Sequence, residues 1–195
     1  MKLAILALIC LSGCASPFVD IYGGAAIPNL DETGDEFVSG RLTTGGQVGA
    51  RVGTFLPSPL PIRPGIALDF SRSFMENDSR GEEFENYLLS FLVMARLFPD
   101  STIQPYAALG PTLGLGEYTA PSYEDSAFSV GADFRAGIAA DFLPIPGIDL
   151  APFLEYRAIW IEHDFDAVSP LFAEDRNRRL KGITHGVMLG LSLSF

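Results

Sequence analysis

The last twelve residues of the chain alternate between two kinds of side chain, and this pattern limits the folds that the chain can adopt. In the segment 184–195 (THGVMLGLSLSF), every second position from His185 to Phe195 is large, and after His185 each is apolar. The positions between them are small or polar, apart from Met188. A period of two residues places the two sets on opposite faces of a β-strand. The segment therefore predicts a sheet strand with one apolar face.

The same alternation recurs along the chain, with turn residues between the segments. Three connections, 57–64, 99–101 and 144–149, contain proline and follow an apolar strand end, whereas the other four are longer and polar. Regular hairpins of this kind predict an up-and-down antiparallel sheet. The predicted strands are Phe18–Ile27, Thr43–Leu56, Gly65–Phe74, Glu85–Phe98, Gln104–Tyr118, Ala127–Leu143, Leu150–Glu162 and Ile183–Phe195.

The distribution of hydrophobic residues indicates what surrounds this sheet. The chain has 195 residues and is 48% hydrophobic, yet beyond its N-terminus it lacks the run of about 20 apolar residues that a membrane helix needs. A soluble sandwich and a membrane barrel both allow alternation, but aromatic residues near both strand ends favour interfacial girdles. On the outward parity these residues are Phe74, Tyr87, Phe128 and Trp160 at one end, and Phe142 and Phe195 at the other. We predict an all-β, eight-stranded antiparallel up-and-down transmembrane β-barrel.

The N-terminus is typical of an export signal. Lys2 precedes the apolar run 3–11, and the next residues are small. The sequence Leu11-Ser-Gly-Cys14 resembles a lipobox, in which the cysteine is acylated; ordinary cleavage after Ala15 is the alternative. We predict a signal peptide at 1–14 and a barrel domain at 15–195. The mature chain then has no disulfide, because its cysteines lie within the signal or at its border.

Charged residues occur on the inward parity of six predicted strands. An eight-stranded lumen is only wide enough for side chains, and a buried charge without a partner is costly. We therefore predict a paired network that plugs the lumen; a narrow solute channel, gated by rearrangement of the pairs, is the alternative. The predicted members are Asp20, Arg51, Asp69, Arg96, Asp133, Arg135, Asp141, Glu155 and Arg157.

Several phrases resemble those of a known family of proteins. The segments 104–110 (QPYAALG) and 151–157 (APFLEYR) and the final strand are similar to small bacterial outer-membrane barrels of the OmpA/OmpX type. Gly190, Leu193 and Phe195 match the terminal motif that the barrel assembly machinery reads in such proteins. The resemblance implies a cell outer membrane of the Gram-negative type, extracellular long loops, and roles in envelope integrity, adhesion or lipopolysaccharide contact. We expect a monomer.

A basic cluster before the last strand is a candidate contact for lipid phosphate. Arginine suits phosphate oxygens, and outer-membrane lipid, including lipopolysaccharide, presents phosphates at this height. Pairing with Glu174 and Asp175 is the alternative. The net charge of −11 argues against nucleic acid as a partner. The candidate contacts are Arg176, Arg178, Arg179 and Lys181.

The two histidines are the remaining candidates for chemistry. His163 lies among carboxylates, but without a second histidine at ligand spacing a polar loop is the expected reading. His185 has lipid-facing parity and resembles the histidine of lipid A deacylases, although no serine follows at the next alternate position. We predict no catalytic residue, no metal and no cofactor, with a lipid A-modifying enzyme as the second alternative to a structural role.

Overall fold

A computed structural model describes residues 16–33, 42–77, 81–121, 123–141, 143–145, 148–167 and 176–195. Within these ranges, no helix combines the length and the hydrophobicity needed to traverse a bilayer. The strands are β1 (Ser16–Thr33), β2 (Gly45–Phe55), β3 (Ile62–Asn77), β4 (Glu82–Leu97), β5 (Ile103–Ala120), β6 (Tyr123–Ala140), β7 (Leu143–Ile145), β8 (Ile148–Ala167) and β9 (Arg176–Ser194).

Eight long strands form a closed antiparallel barrel. Each of β1 to β5 pairs with the next strand in the sequence, and β9 pairs with both β8 and β1. The pairing of β6 with β8 closes the barrel, and β7 lies between these two strands only in the sequence. The three-residue β7 forms a hairpin with the start of β8. We call the end that carries connections 56–61 and 98–102 the turn end, and the other the opposite end. The predicted barrel, its strand number and its up-and-down order are confirmed.

The strands continue further toward the opposite end than the sequence predicts. The prediction placed a long connection near 119–126, but β5 and β6 pair as far as Ala120 and Tyr123. Similarly, β8 continues to Ala167, and β9 begins at Arg176. The prediction of long connections there was therefore wrong in extent. Alternation of apolar residues stops where a strand leaves an apolar environment, whereas the backbone hydrogen bonds of the ladder continue without it.

The outer surface of the barrel is apolar. Val93, Phe128 and Leu189 expose about two thirds of their surface, at 67%, 66% and 67%. Isolated exposed apolar residues are ordinary, but a continuous apolar surface of this kind marks contact with lipid or another apolar partner. The outward position predicted for Phe74 is confirmed, because this residue is exposed together with the other large apolar residues of the same parity on β3: Ile66, Leu68 and Phe70.

The interior is filled by side chains. Near the turn end, Phe18 and Phe55 stack with ring centroids 4.9 Å apart, within a buried cluster that includes Met94 and Phe153. A smaller apolar group, Leu88, Ile159 and Ile161, packs on the other side of the strand middles. Because charged residues come from those middles, the two apolar groups enclose a polar layer.

Candidate functional site

Arg135 is at the centre of this polar layer. Its guanidinium donates to both oxygens of Asp69, over 2.6 and 2.9 Å, and to Asp133 over 2.8 Å. It also lies 3.3 Å from a carboxylate oxygen of Glu155. All four side chains are fully buried. A paired guanidinium of this kind satisfies its donors without water.

Arg157 lies directly opposite Arg135 on the neighbouring strand. Two arginines facing each other would repel, but Asp133 lies between them and accepts from Arg157 over 2.6 Å. Arg157 also donates to the hydroxyl of Ser71 over 2.8 Å. The shared carboxylate therefore converts a repulsive pair into a stable triad.

Arg51 extends the layer toward the turn end. It donates to Asp20 and to Glu155, each over 2.7 Å. Since Glu155 also faces Arg135, this carboxylate joins the two parts of the layer. Asp20 and Arg51 are register partners on adjacent strands, so the pairing of β1 with β2 already brings these two side chains together.

Hydroxyl groups complete the hydrogen bonding of the carboxylates. Tyr22 donates to Asp69 over 2.9 Å, and Tyr106 donates to Glu155 over 2.8 Å. The hydroxyl of Ser90 lies 2.8 Å from Asp133. Sequence reasoning based on charge alone missed these residues. Their parity could have identified them, because Tyr22 follows Asp20 at the next inward position, as Ser71 follows Asp69.

Two predicted members lie outside this ion-paired layer. Arg96 is placed over the ring of Phe55, 4.2 Å from its centroid, and donates to Gln104 over 3.2 Å. Asp141 is half-buried at the turn end. Among the described residues, neither side chain has an ion-pair partner. We define the lumen network as the seven predicted residues that are joined: Asp20, Arg51, Asp69, Asp133, Arg135, Glu155 and Arg157.

The lumen network brings three arginines together with four carboxylates. Its members come from β1, β2, β3, β6 and β8, and β4 and β5 add hydroxyls through Ser90 and Tyr106. Side chains from seven of the eight long strands thus meet across the lumen. Breaking one buried ion pair leaves a charge without its partner, which typically costs 3–5 kcal/mol. This arrangement can brace the barrel and block passage through its centre.

The basic cluster is described only in part. The backbone of β9 includes Arg176, Arg178 and Arg179, but their side chains lie outside the described part of the structure. Lys181 is exposed, with its Nζ 3.3 Å from Glu162 and 5.7 Å from the centroid of Trp160. Lys181 is thus paired with Glu162 on the neighbouring strand, and any contact with lipid phosphate is made in addition to this ion pair.

The two histidines occupy different environments. The prediction of a polar loop at His163 was wrong, because β8 continues past this residue. Its side chain is buried in the lumen, edge-on to Phe84 at 5.4 Å between centroids. The Nδ1 atom of His185 lies 2.6 Å from the hydroxyl of Tyr156, on the outer surface. The two are therefore on opposite faces of the barrel wall and do not form a common site.

An ion pair that lies on the outer surface was not predicted from the sequence. Arg72 donates to Glu85 over 2.6 Å, and the hydroxyl of Tyr87 donates to the same carboxylate over 2.8 Å. Both charged groups are partly exposed. This ion pair joins the same kinds of group as the lumen network, but it is partly exposed whereas the network is buried.

The residues of the predicted terminal motif lie at the turn end. Phe195 is exposed on the outer face, and Leu193 is half-buried. Gly190 faces inward beside Phe153. Cys14 and the remainder of the predicted signal lie outside the described residues.

A closed barrel of eight antiparallel strands, apolar outside and filled with side chains inside, is the fold of small bacterial outer-membrane β-barrel proteins, and this chain has that fold. Such a fold is compatible with many functions.

Comparison with known proteins gives the same class. OprG from Pseudomonas aeruginosa has a TM-score of 0.56 at 13% identity, covering 93% of this chain and 97% of that chain. Neisserial surface protein A has a TM-score of 0.51 at 15% identity, with the same coverage. AlkL, solved by solid-state NMR in lipid bilayers, has a TM-score of 0.53 at 13% identity, covering 92% and 90%. No family model and no curated protein matches the sequence.

Proposed function

We propose that this protein is an outer-membrane barrel with a structural or surface-interaction role, and that its lumen is plugged. The lumen network carries this proposal, because its arginines and carboxylates are buried and joined across the barrel. In the low-dielectric interior, opening a path would require separating these pairs. The role then depends on the outer surface and the connections, in envelope integrity, adhesion or lipopolysaccharide contact.

The proposed orientation places the opposite end outside the cell. Carboxylates lie near that end at Glu83, Glu117 and Glu124, which are exposed, and charged strand extensions are suited to water rather than lipid. The turn end would then face the periplasm. Labelling of the variant Glu117→Cys on intact cells with a membrane-impermeant thiol reagent tests this orientation. We expect the cysteine to be labelled. Labelling only after lysis would contradict the proposed orientation.

Contact with phosphate of lipopolysaccharide is the proposed surface interaction. It is supported by the basic residues of β9, Arg176, Arg178, Arg179 and Lys181. Ail from Yersinia pestis, a barrel of similar fold with a TM-score of 0.50 at 14% identity, has been crystallised with the heparin analogue sucrose octasulfate. The variant with Arg176, Arg178 and Arg179 each changed to Gln should retain less lipopolysaccharide in a reconstituted bilayer. Unchanged retention would contradict the proposal.

Processing and assembly belong to the same proposal. The barrel assembly machinery inserts the chain, which acts as a monomer, and Cys14 is acylated during processing of the signal. The intact mass of the protein purified from membranes tests the last point. A mass matching acylated Cys14 supports lipidation, whereas a chain that begins after Ala15 excludes it.

Planar-bilayer recordings test the plugged lumen. The unmodified protein should give no stable conductance steps. The double variant Asp133→Ser and Arg157→Ser removes one negative and one positive charge, so it empties part of the layer without changing its net charge. We expect steps from this variant, and none from the matched outer-surface variant Arg72→Ser and Glu85→Ser. Stable steps from the unmodified protein would instead establish a narrow channel.

A catalytic role is not part of the proposal. Lipid A isolated from cells that express the protein should have the same mass as lipid A from control cells. A new deacylated species, lost in the variant His185→Phe, would overturn this and support a lipid A-modifying enzyme.

A further inference from the structure

A small cavity lies between the lumen network and the turn end. Its polar lining consists of Asp20, Arg51, Arg96, Tyr106 and Ser192, and its volume is about 10 Å³. This is close to the smallest cavity volume that holds one water molecule. The cavity thus adjoins the network on the side where Arg51 and Asp20 are paired.

Three buried atoms of this lining have no hydrogen-bond partner among the described residues. They are Oδ1 of Asp20, Nε of Arg96 and Oγ of Ser192, from β1, β4 and β9. A buried polar group without a partner costs free energy, and most such groups in proteins are paired with protein or with ordered water. Three of them around one cavity indicate a common partner.

The chemistry of the three atoms identifies that partner. Nε of Arg96 can only donate, Oδ1 of ionised Asp20 can only accept, and the hydroxyl of Ser192 can do either. A small anion would face the carboxylate of Asp20, and a cation would face the guanidinium groups of Arg51 and Arg96. Water accepts from the first atom, donates to the second and bonds to the third, and three hydrogen bonds are typical of a buried water.

We propose that this cavity binds one ordered water molecule, which links Arg96 to Asp20 and marks the inner limit of a hydrated vestibule at the turn end. The proposal rests on the plugged lumen. The network alone has three arginines and four carboxylates, and the water link adds Arg96 as the fourth arginine. Arg96 thereby gains a carboxylate neighbour without forming a direct ion pair. Water entering from the turn end stops at the contact between Arg51 and Glu155.

Water-edited solid-state NMR of the protein in bilayers tests this site through the arginine Nε signals. The signal of Arg96, assigned from its loss in Arg96→Lys, should receive magnetisation from water at least several times faster than the signals of Arg135 and Arg157. The variant Ser192→Val fills the cavity and should remove this transfer. Absence of transfer at Arg96 in the unmodified protein would overturn the water site, and so would a bromide-dependent shift of its signal, which would indicate an anion instead.

The same spectra separate this inference from the proposed function. Rapid transfer to Arg135 as well as Arg96 would show that water passes the network, and the plugged lumen would then be wrong.

Discussion

Arg135 and Asp69 meet at the centre of the barrel through two nitrogen–oxygen contacts of 2.6 and 2.9 Å, although 66 positions separate them in the sequence. They belong to β6 and β3, which are not neighbours in the sheet. Hydrogen bonds of the ladder connect only adjacent strands, so this pair provides a brace across the lumen. Its charge-assisted, bidentate geometry is among the stronger kinds of hydrogen bond.

Removing the guanidinium from this brace should strongly destabilise the barrel. In Arg135→Met, Asp69 and Asp133 remain buried with one fewer cation, so we expect a loss of about 3–5 kcal/mol in the free energy of unfolding. Urea titration of the protein in lipid vesicles measures it. The control Arg72→Met breaks the exposed pair with Glu85 and should cause a much smaller loss. Equal losses would contradict a special role for the buried network.

The tyrosine hydroxyls should contribute to stability in proportion to their burial. Tyr22 is buried and donates to Asp69, so Tyr22→Phe leaves the carboxylate with one fewer donor and should cost about 1–3 kcal/mol. Tyr87→Phe removes a hydroxyl that donates to the partly exposed Glu85, and it should change stability little. The same urea titration compares them, and a larger effect at Tyr87 would contradict the prediction.

Close approach of strands makes one of two adjacent glycines essential. A Cβ atom at Gly24 would overlap the carbonyl oxygen of Val187 on β9, whereas one at Gly23 would be 3.6 Å from its nearest neighbour. Because β1 and β9 close the barrel at this point, Gly24→Ala should reduce the folded fraction. Heat-modifiable gel migration measures it. Gly23→Ala is the matched control and should fold normally; similar behaviour of both variants would disprove the close approach.

Phe195 should matter for assembly more than for stability. Its side chain is 61% exposed on the outer face, so its replacement removes little internal packing. We expect Phe195→Ser to lower the amount of folded barrel in the outer membrane of cells while leaving unassisted folding in detergent unchanged. The control Phe98→Ser alters another exposed aromatic residue at the turn end, at 57%. Equal reduction in both variants would indicate a general requirement for interfacial aromatics instead of a recognition signal.

Several features could be predicted from the sequence because they depend on local periodicity. Alternation along a strand determines which side chains share a face, so the inward positions of Asp69, Arg135 and Arg157 followed directly. The number and order of the strands followed from the turns between them. The polar ends of the strands did not, because backbone pairing continues beyond the apolar segment, as it does at Ala120 and Tyr123.

The amino-acid sequence by itself determined an alternating chain with an apolar face and charges on the inward parity. Only the tertiary structure decided which of those charges meet. Parity places Arg96 and Arg135 on the same inner surface, yet Arg135 contacts three carboxylates whereas Arg96 lies over Phe55. The physical reason is that periodicity acts along one strand, whereas an ion pair across the lumen depends on barrel closure and on the relative heights of strands that are distant in the sequence.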